Sequence, residues 1–115
     1  MSLDEQLRNE GMKEVVETAK GVLQGKIGII EGSRILSRLR FKICEGGFDP
    51  DFYGFIGIDS ATDHLPIGRV REHWAEDALV RKDKEIKEAE DSYREKAFAD
   101  CRKLIQRFGG TVGEA

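Results

Sequence analysis

Proline is scarce in this 115-residue chain, with only Pro50 and Pro66, and residues 69–108 contain neither proline nor glycine. So long a stretch without a breaker reads as one long helix or two. Cysteine is limited to Cys44 and Cys101, with no CxxC spacing, and residues 1–20 carry a charge every few positions where a secretory signal would need an apolar run. Reduced thiols and a cytoplasmic location are expected rather than a disulfide framework. Apolar runs are short, and none approaches the ~20 residues of a membrane span. An excess of basic charge is also lacking. Lys and Arg number 19 against 22 Asp and Glu, for a net charge of −3, which argues against general affinity for nucleic acid or anionic lipid.

Catalytic signatures are missing as well. Neither G-x-S-x-G nor H-E-x-x-H occurs, and Asp59-Ser-Ala-Thr-Asp63 lacks the glycine and terminal Glu of a calcium loop. Residues 25–33 are glycine-rich, but the G-K-[ST] order is absent and Glu31 would repel a phosphate. No cofactor is expected.

What remains is helical spacing. Leu3, Leu7, Val15, Ala19 and Val22 recur at three and four residues over 3–23, with Ser2 and Glu5 as a capping box. A second helix is predicted over 26–43, with Ile35, Leu36, Leu39 and Ile43 on one side and Gly28 and Gly32 one turn apart for close approach of another helix. Asp49-Pro50 reads as an N-cap followed by proline at the first helical position, opening a short third helix through Phe52, Phe55 and Ile56. Residues 60–68 read as a loop. From Arg69 to Phe108 one helix or two are expected, with a bend near Lys82-Asp83, where the sequence is almost wholly charged and Asp83 is a possible cap. The fold class is all-α: a small antiparallel bundle of four or five helices with a long C-terminal helix, in a single domain over 1–108 followed by a tail over 109–115. The alternative is α+β, with short strands at 27–30 and 55–58.

Three constellations bear on function. Asp59, Asp63, His64, His73 and Asp77 concentrate ligand-type side chains, and would make a metal-binding protein or metal-dependent enzyme if they converged. Arg34, Arg38, Arg40 and Lys42 form a basic edge with Phe41 beside it, which suits phosphate contact and base stacking in RNA binding. The five acids from Glu45 to Asp63 follow immediately and compete with any polyanion for that edge. Phe52, Tyr53, Phe55 and Trp74 are expected in the core, with Tyr53 or Trp74 as the rival candidates for an exposed partner anchor. No catalytic residue is assigned. The expected function is a non-catalytic protein-binding module, of adaptor or inhibitor type, acting through charged helical surfaces at Arg34, Arg38, Lys42, Tyr53 and Trp74. A homodimer through the apolar stripe over residues 86–108 is a further expectation.

Overall fold

The computed structural model describes residues 3–109. Four α-helices carry the fold: α1 (Leu3–Leu23), α2 (Ile29–Ile43), α3 (Tyr53–Thr62) and α4 (Glu76–Phe108), with short 3-10 turns at Glu45–Gly47, Pro50–Phe52 and Gly68–His73. No strand occurs among the described residues. The α+β alternative therefore falls: residues 55–58 lie inside α3, and Ile29 and Ile30 open α2. Ser2 of the capping box and the tail from Gly110 lie outside the described residues, whereas Gly109 closes α4 through its N–H to Ile105 O at 2.7 Å.

Direction follows from cross-contacts. Arg8 near the start of α1 donates to Ile43 O at the end of α2, so these two helices are antiparallel. Glu90 meets the start of α2 at Ile30, and Arg107 meets Asp49 just past its end, so α2 and α4 run parallel. The core gathers Met12, Val15, Val16, Ala19 and Val22 of α1, Leu36, Leu39 and Ile43 of α2, Phe52 and Phe55 around the start of α3, and Ala97, Cys101, Leu104 and Phe108 of α4. At ~1.5 Å rise per residue α4 is about 50 Å long, and it sets the long dimension of a 52 × 26 × 23 Å molecule.

Several boundaries differ from expectation. α2 begins at Ile29 rather than Lys26, because the N–H groups of Lys26 and Ile27 turn back onto Gly21 O at 2.9 and 3.1 Å and close the end of α1. α3 continues to Thr62, three residues into the predicted loop. α4 starts only at Glu76 but then runs without a bend through Lys82-Asp83. The charged residues there lie on the solvated surface, so they do not interrupt a helix that contains no breaker, and Asp83 pairs with Arg71 instead of capping. Of the aromatics expected in the core, Phe52 and Phe55 are there, whereas Tyr53 is exposed at the start of α3 and Trp74 is half-buried in the connection that precedes α4. Leu3 and Leu7, expected in the core, are exposed because burial on α1 begins only at Gly11.

Gly32 governs the approach of α2 to α1. A Cβ at this position would overlap Val22 Cγ2 from α1, in a region where both helices are buried. Gly32→Ala is expected to lower stability by about 1–3 kcal/mol through overpacking, read as a reduced urea midpoint with unchanged slope. Adding Val22→Ala is expected to recover part of that loss, since it shortens the side chain the new methyl would strike.

Candidate functional site

The acid and histidine set does not assemble. Asp59 lies 3.7 Å from Arg34 Nε, His64 Nε2 sits 2.8 Å from Glu85 on α4, and Asp77 faces Arg81 on its own helix. Asp63 and His73 are exposed at the end of α3 and of the 3-10 turn. Among the described residues no three His, Cys, Asp or Glu side chains approach closely enough to hold an ion. Neither thiol is paired, and burial together with the Asp100 carboxylate pushes the Cys101 thiol up to about 12. Cys101 is thus protonated at neutral pH and sits in the core as a small apolar side chain.

The basic edge is directed largely inward. Arg34 donates to the carbonyls of Thr62 and Leu65 at 2.6 and 3.2 Å, tying the end of α3 to α2. Lys42 pairs with Glu14 of α1 at 3.1 Å. Arg40 donates to Ser37 O and Oγ and lays its guanidinium 4.1 Å over the Phe41 ring, covering one face of that aromatic. Arg38 is exposed, with Nε on Arg34 O at 3.2 Å. The acidic block that follows is held partly by a different cation: Arg107 of α4 reaches Asp49 at 2.9 Å and Asp51 at 2.8 Å.

A cleft of about 180 Å³ opens between the α1–α2 loop and α4, lined by Val22, Ile27, Glu90, Arg94 and Phe98 among others. It is smaller than typical ligand sites of ~300–1,000 Å³. Its acid is already used, Glu90 Oε2 accepting from Ile30 N at 3.1 Å at the start of α2, where Gly28 offers no side-chain cap.

The surface feature that stands out is apolar. Phe48 is 78% exposed, Leu3 69%, Phe41 56%, Tyr53 51% and Leu7 45%, and all five lie at the end of the bundle where α1 begins, α2 finishes and α4 finishes. Phe41 lies outside the Leu36, Leu39 and Ile43 stripe that packs into the core. Phe48 follows two glycines with positive φ, Gly46 at 80° and Gly47 at 72°, and a Cβ on Gly47 would come within 2.7 Å of the Phe41 ring. The chain then locks: Asp49 accepts from Asp51 N at 3.1 Å, capping the Pro50–Phe52 turn, and is gripped by Arg107. Of the expected anchors, Tyr53 borders this end while Trp74 lies in the connection to α4. Leu3, Leu7 and Phe48 were not among the sequence-based candidates. The available signal was Phe48 isolated between Gly46-Gly47 and Asp49-Pro50, with no helical stripe to take it.

The clamp at this end responds to acid. Burial works to raise the Asp49 pKa, but the Arg107 and Asp51 N–H hydrogen bonds and the charges of Arg107 and Arg8 outweigh it and hold the carboxyl below the usual aspartate range. A depressed folded-state pKa stabilises the fold fully above the unfolded value, and that contribution is lost as pH falls through the folded one. Stability is therefore expected to decline on acidification below the ordinary aspartate range, and Asp49→Asn is expected to flatten that part of a urea-midpoint against pH profile.

The opposite side of the molecule is held differently. No residue of the Gly68–His73 turn is buried, and the connection reaches α4 through His64–Glu85 and Arg71–Asp83, both at 2.8 Å. Such exposed pairs are screened by salt. Raising NaCl to about 1 M is expected to increase acrylamide quenching of Trp74, the single tryptophan, without changing helicity. Arg71→Ala is expected to do the same at low salt. Compared with known proteins, the chain matches no family model, no curated protein and no solved structure.

Proposed function

We propose that this chain is a small, non-catalytic protein-binding module of the cytoplasm, of adaptor or inhibitor type, and that it binds through the end of the bundle bearing Phe41 and Phe48. The observation that carries this reading is the exposure of these two aromatics, 56% and 78%, on a corner fixed by the Asp49–Arg107 clamp. Aromatic side chains dominate interface energetics, and a rigid corner loses little freedom on binding. Leu3, Leu7 and Tyr53 are further exposed apolar side chains toward this end, and Arg40, stacked on Phe41, adds charge. The helical surfaces at Arg34 and Lys42 serve this reading less well, since both side chains are engaged within the molecule. The long α4 and its ionic contacts act as scaffold.

A photo-cross-linking side chain at position 48 tests the reading in the native host, with one at Val80, itself 71% exposed, as control. Discrete protein adducts from position 48 and none from position 80 are expected. Equal, diffuse labelling from both positions would remove the reading.

A further inference from the structure

We infer that residues 63–75 form a strap whose attachment to α4, and with it the exposure of Trp74, is set by the proton on His64. The strap is fixed at both ends. On the α3 side Leu65 and Pro66 are buried, and Arg34 of α2 donates to the carbonyls of Thr62 and Leu65. On the other side Ala75 leads into the first turn of α4, where Leu79 N–H donates to Ala75 O at 3.0 Å. Between these anchors the chain is loosely seated. Gly68 turns at a φ of 77° with open space where a Cβ would stand, and no residue of the Gly68–His73 turn is buried. The segment is nevertheless fastened to itself, since Arg71 donates to Pro66 O and Trp74 N–H to Arg71 O, both at 3.1 Å. It therefore moves as one piece. Among the described residues, the ionic contacts that join it to α4 are two clasps, Arg71–Asp83 and His64–Glu85, each at 2.8 Å.

The two clasps answer differently to pH. Arginine keeps its charge, so Arg71–Asp83 is constant near neutrality, whereas a histidine changes charge between about pH 5 and 8. His64 Nε2 lies 2.8 Å from Glu85 Oε2: with the ring neutral this contact is a hydrogen bond, and with the ring protonated it is an ion pair. The other charges around it are fixed in that window. Lys82 of α4 lies 3.8 Å from the second oxygen of Glu85, Asp63 precedes His64 in the strap, and Arg34 of α2, itself 3.7 Å from Asp59 of α3, holds the carbonyls of Thr62 and Leu65 on either side. Carboxylates, ammonium and guanidinium groups do not titrate there. Closure therefore tightens as pH falls through the histidine range and loosens as it rises. Both clasps are solvent-exposed, so the closed-to-open ratio changes only about two- to fivefold. Opening disturbs little else, because no residue of α4 before Ala97 is buried and the start of that helix carries its own Asp77–Arg81 pair. What an open strap releases is Trp74, half-buried when closed.

Acrylamide quenching of Trp74, read by fluorescence lifetime in the full chain at constant low ionic strength, tests this. The background is His73→Gln, because the adjacent imidazole quenches an indole directly when it is protonated. Between about pH 8 and about pH 6 the quenching constant is expected to fall, by up to about twofold. His64→Gln and Glu85→Gln are each expected to abolish that dependence and to hold quenching at the high-pH level, with helicity unchanged. Lys82→Gln leaves Glu85 to His64 alone and is expected to steepen the response. At the lower pH, raising NaCl to about 1 M is expected to bring quenching up to the high-pH value or beyond. Quenching that is equal at both pH values in the His73→Gln protein, or a pH dependence that survives His64→Gln, overturns His64 as the control. Quenching indifferent both to salt and to Arg71→Ala overturns the strap itself.

Discussion

The seating of the last three turns of α4 against α1 and α3 is the contact on which the remaining architecture depends, because it decides how far the apolar core extends. Ala97, Cys101, Leu104 and Phe108 are buried, while no residue of α4 before Ala97 is. The helix is nevertheless continuous from Glu76, so roughly its first half stands along or beyond the core as a charged rod. Its helical state there rests on propensity, on pairs such as Lys87–Asp91 and Arg94–Asp91, and on the absence of any breaker. The elongated shape follows directly. So does the contrast between the two ends of the molecule: one where α1, α2 and α4 converge on packed side chains, and one where a connection is tethered by exposed ion pairs.

Charge is used in this chain mainly to position backbone. Arg34 donates to carbonyls at and just past the end of α3, Arg8 donates to a carbonyl at the end of α2, and Glu90 accepts from an N–H at the start of α2. Each places a charge of the appropriate sign at a helix terminus and satisfies a group that the helix itself leaves open. Asp100 is the extreme case: its side chain is only 8% exposed, both oxygens accept from Lys96 Nζ at 2.7 Å, and a Cβ at Gly54 of α3 would displace its carboxylate. A residue set that reads from spacing as a chemical centre or a nucleic-acid patch is thus largely occupied in fastening four helices together.

Legibility in the sequence divides along the same line. Local information was sufficient where one rule acts alone. Asp49-Pro50 did cap a turn into α3, the breaker-free stretch did become a long helix, and the stripes on α2 and on the end of α4 did enter the core. It failed where the outcome depends on how far a neighbouring element reaches. Leu3 and Leu7 have the right spacing for the core, but burial on α1 starts only at Gly11. The region of Lys82-Asp83 looked like a bend because its apolar content vanishes, which reports the limit of the core rather than the limit of the helix. Arg34 and Arg107 found partners 28 and 58 residues away in sequence, pairings that helical periodicity cannot supply.

The exposed aromatic corner is the place where local and global preferences disagree, and the proposed binding surface rests on that disagreement. A phenylalanine after two glycines has ample freedom to turn inward, and burying it would gain roughly 1.5–3 kcal/mol. Here the glycines adopt positive φ, the Gly47 backbone runs close against the Phe41 ring, and the following residue is fixed by its own cap and by Arg107. The backbone on both sides of Phe48 is therefore fixed, and its side chain is left 78% exposed. Arg40, stacked on Phe41 and bonded to Ser37, steadies the neighbouring ring in the same way. A surface side chain left exposed by neglect would have no such support. On the proposed reading, a partner docking on this corner would have little backbone freedom left to remove, because folding the monomer has already fixed the turn that carries both aromatics.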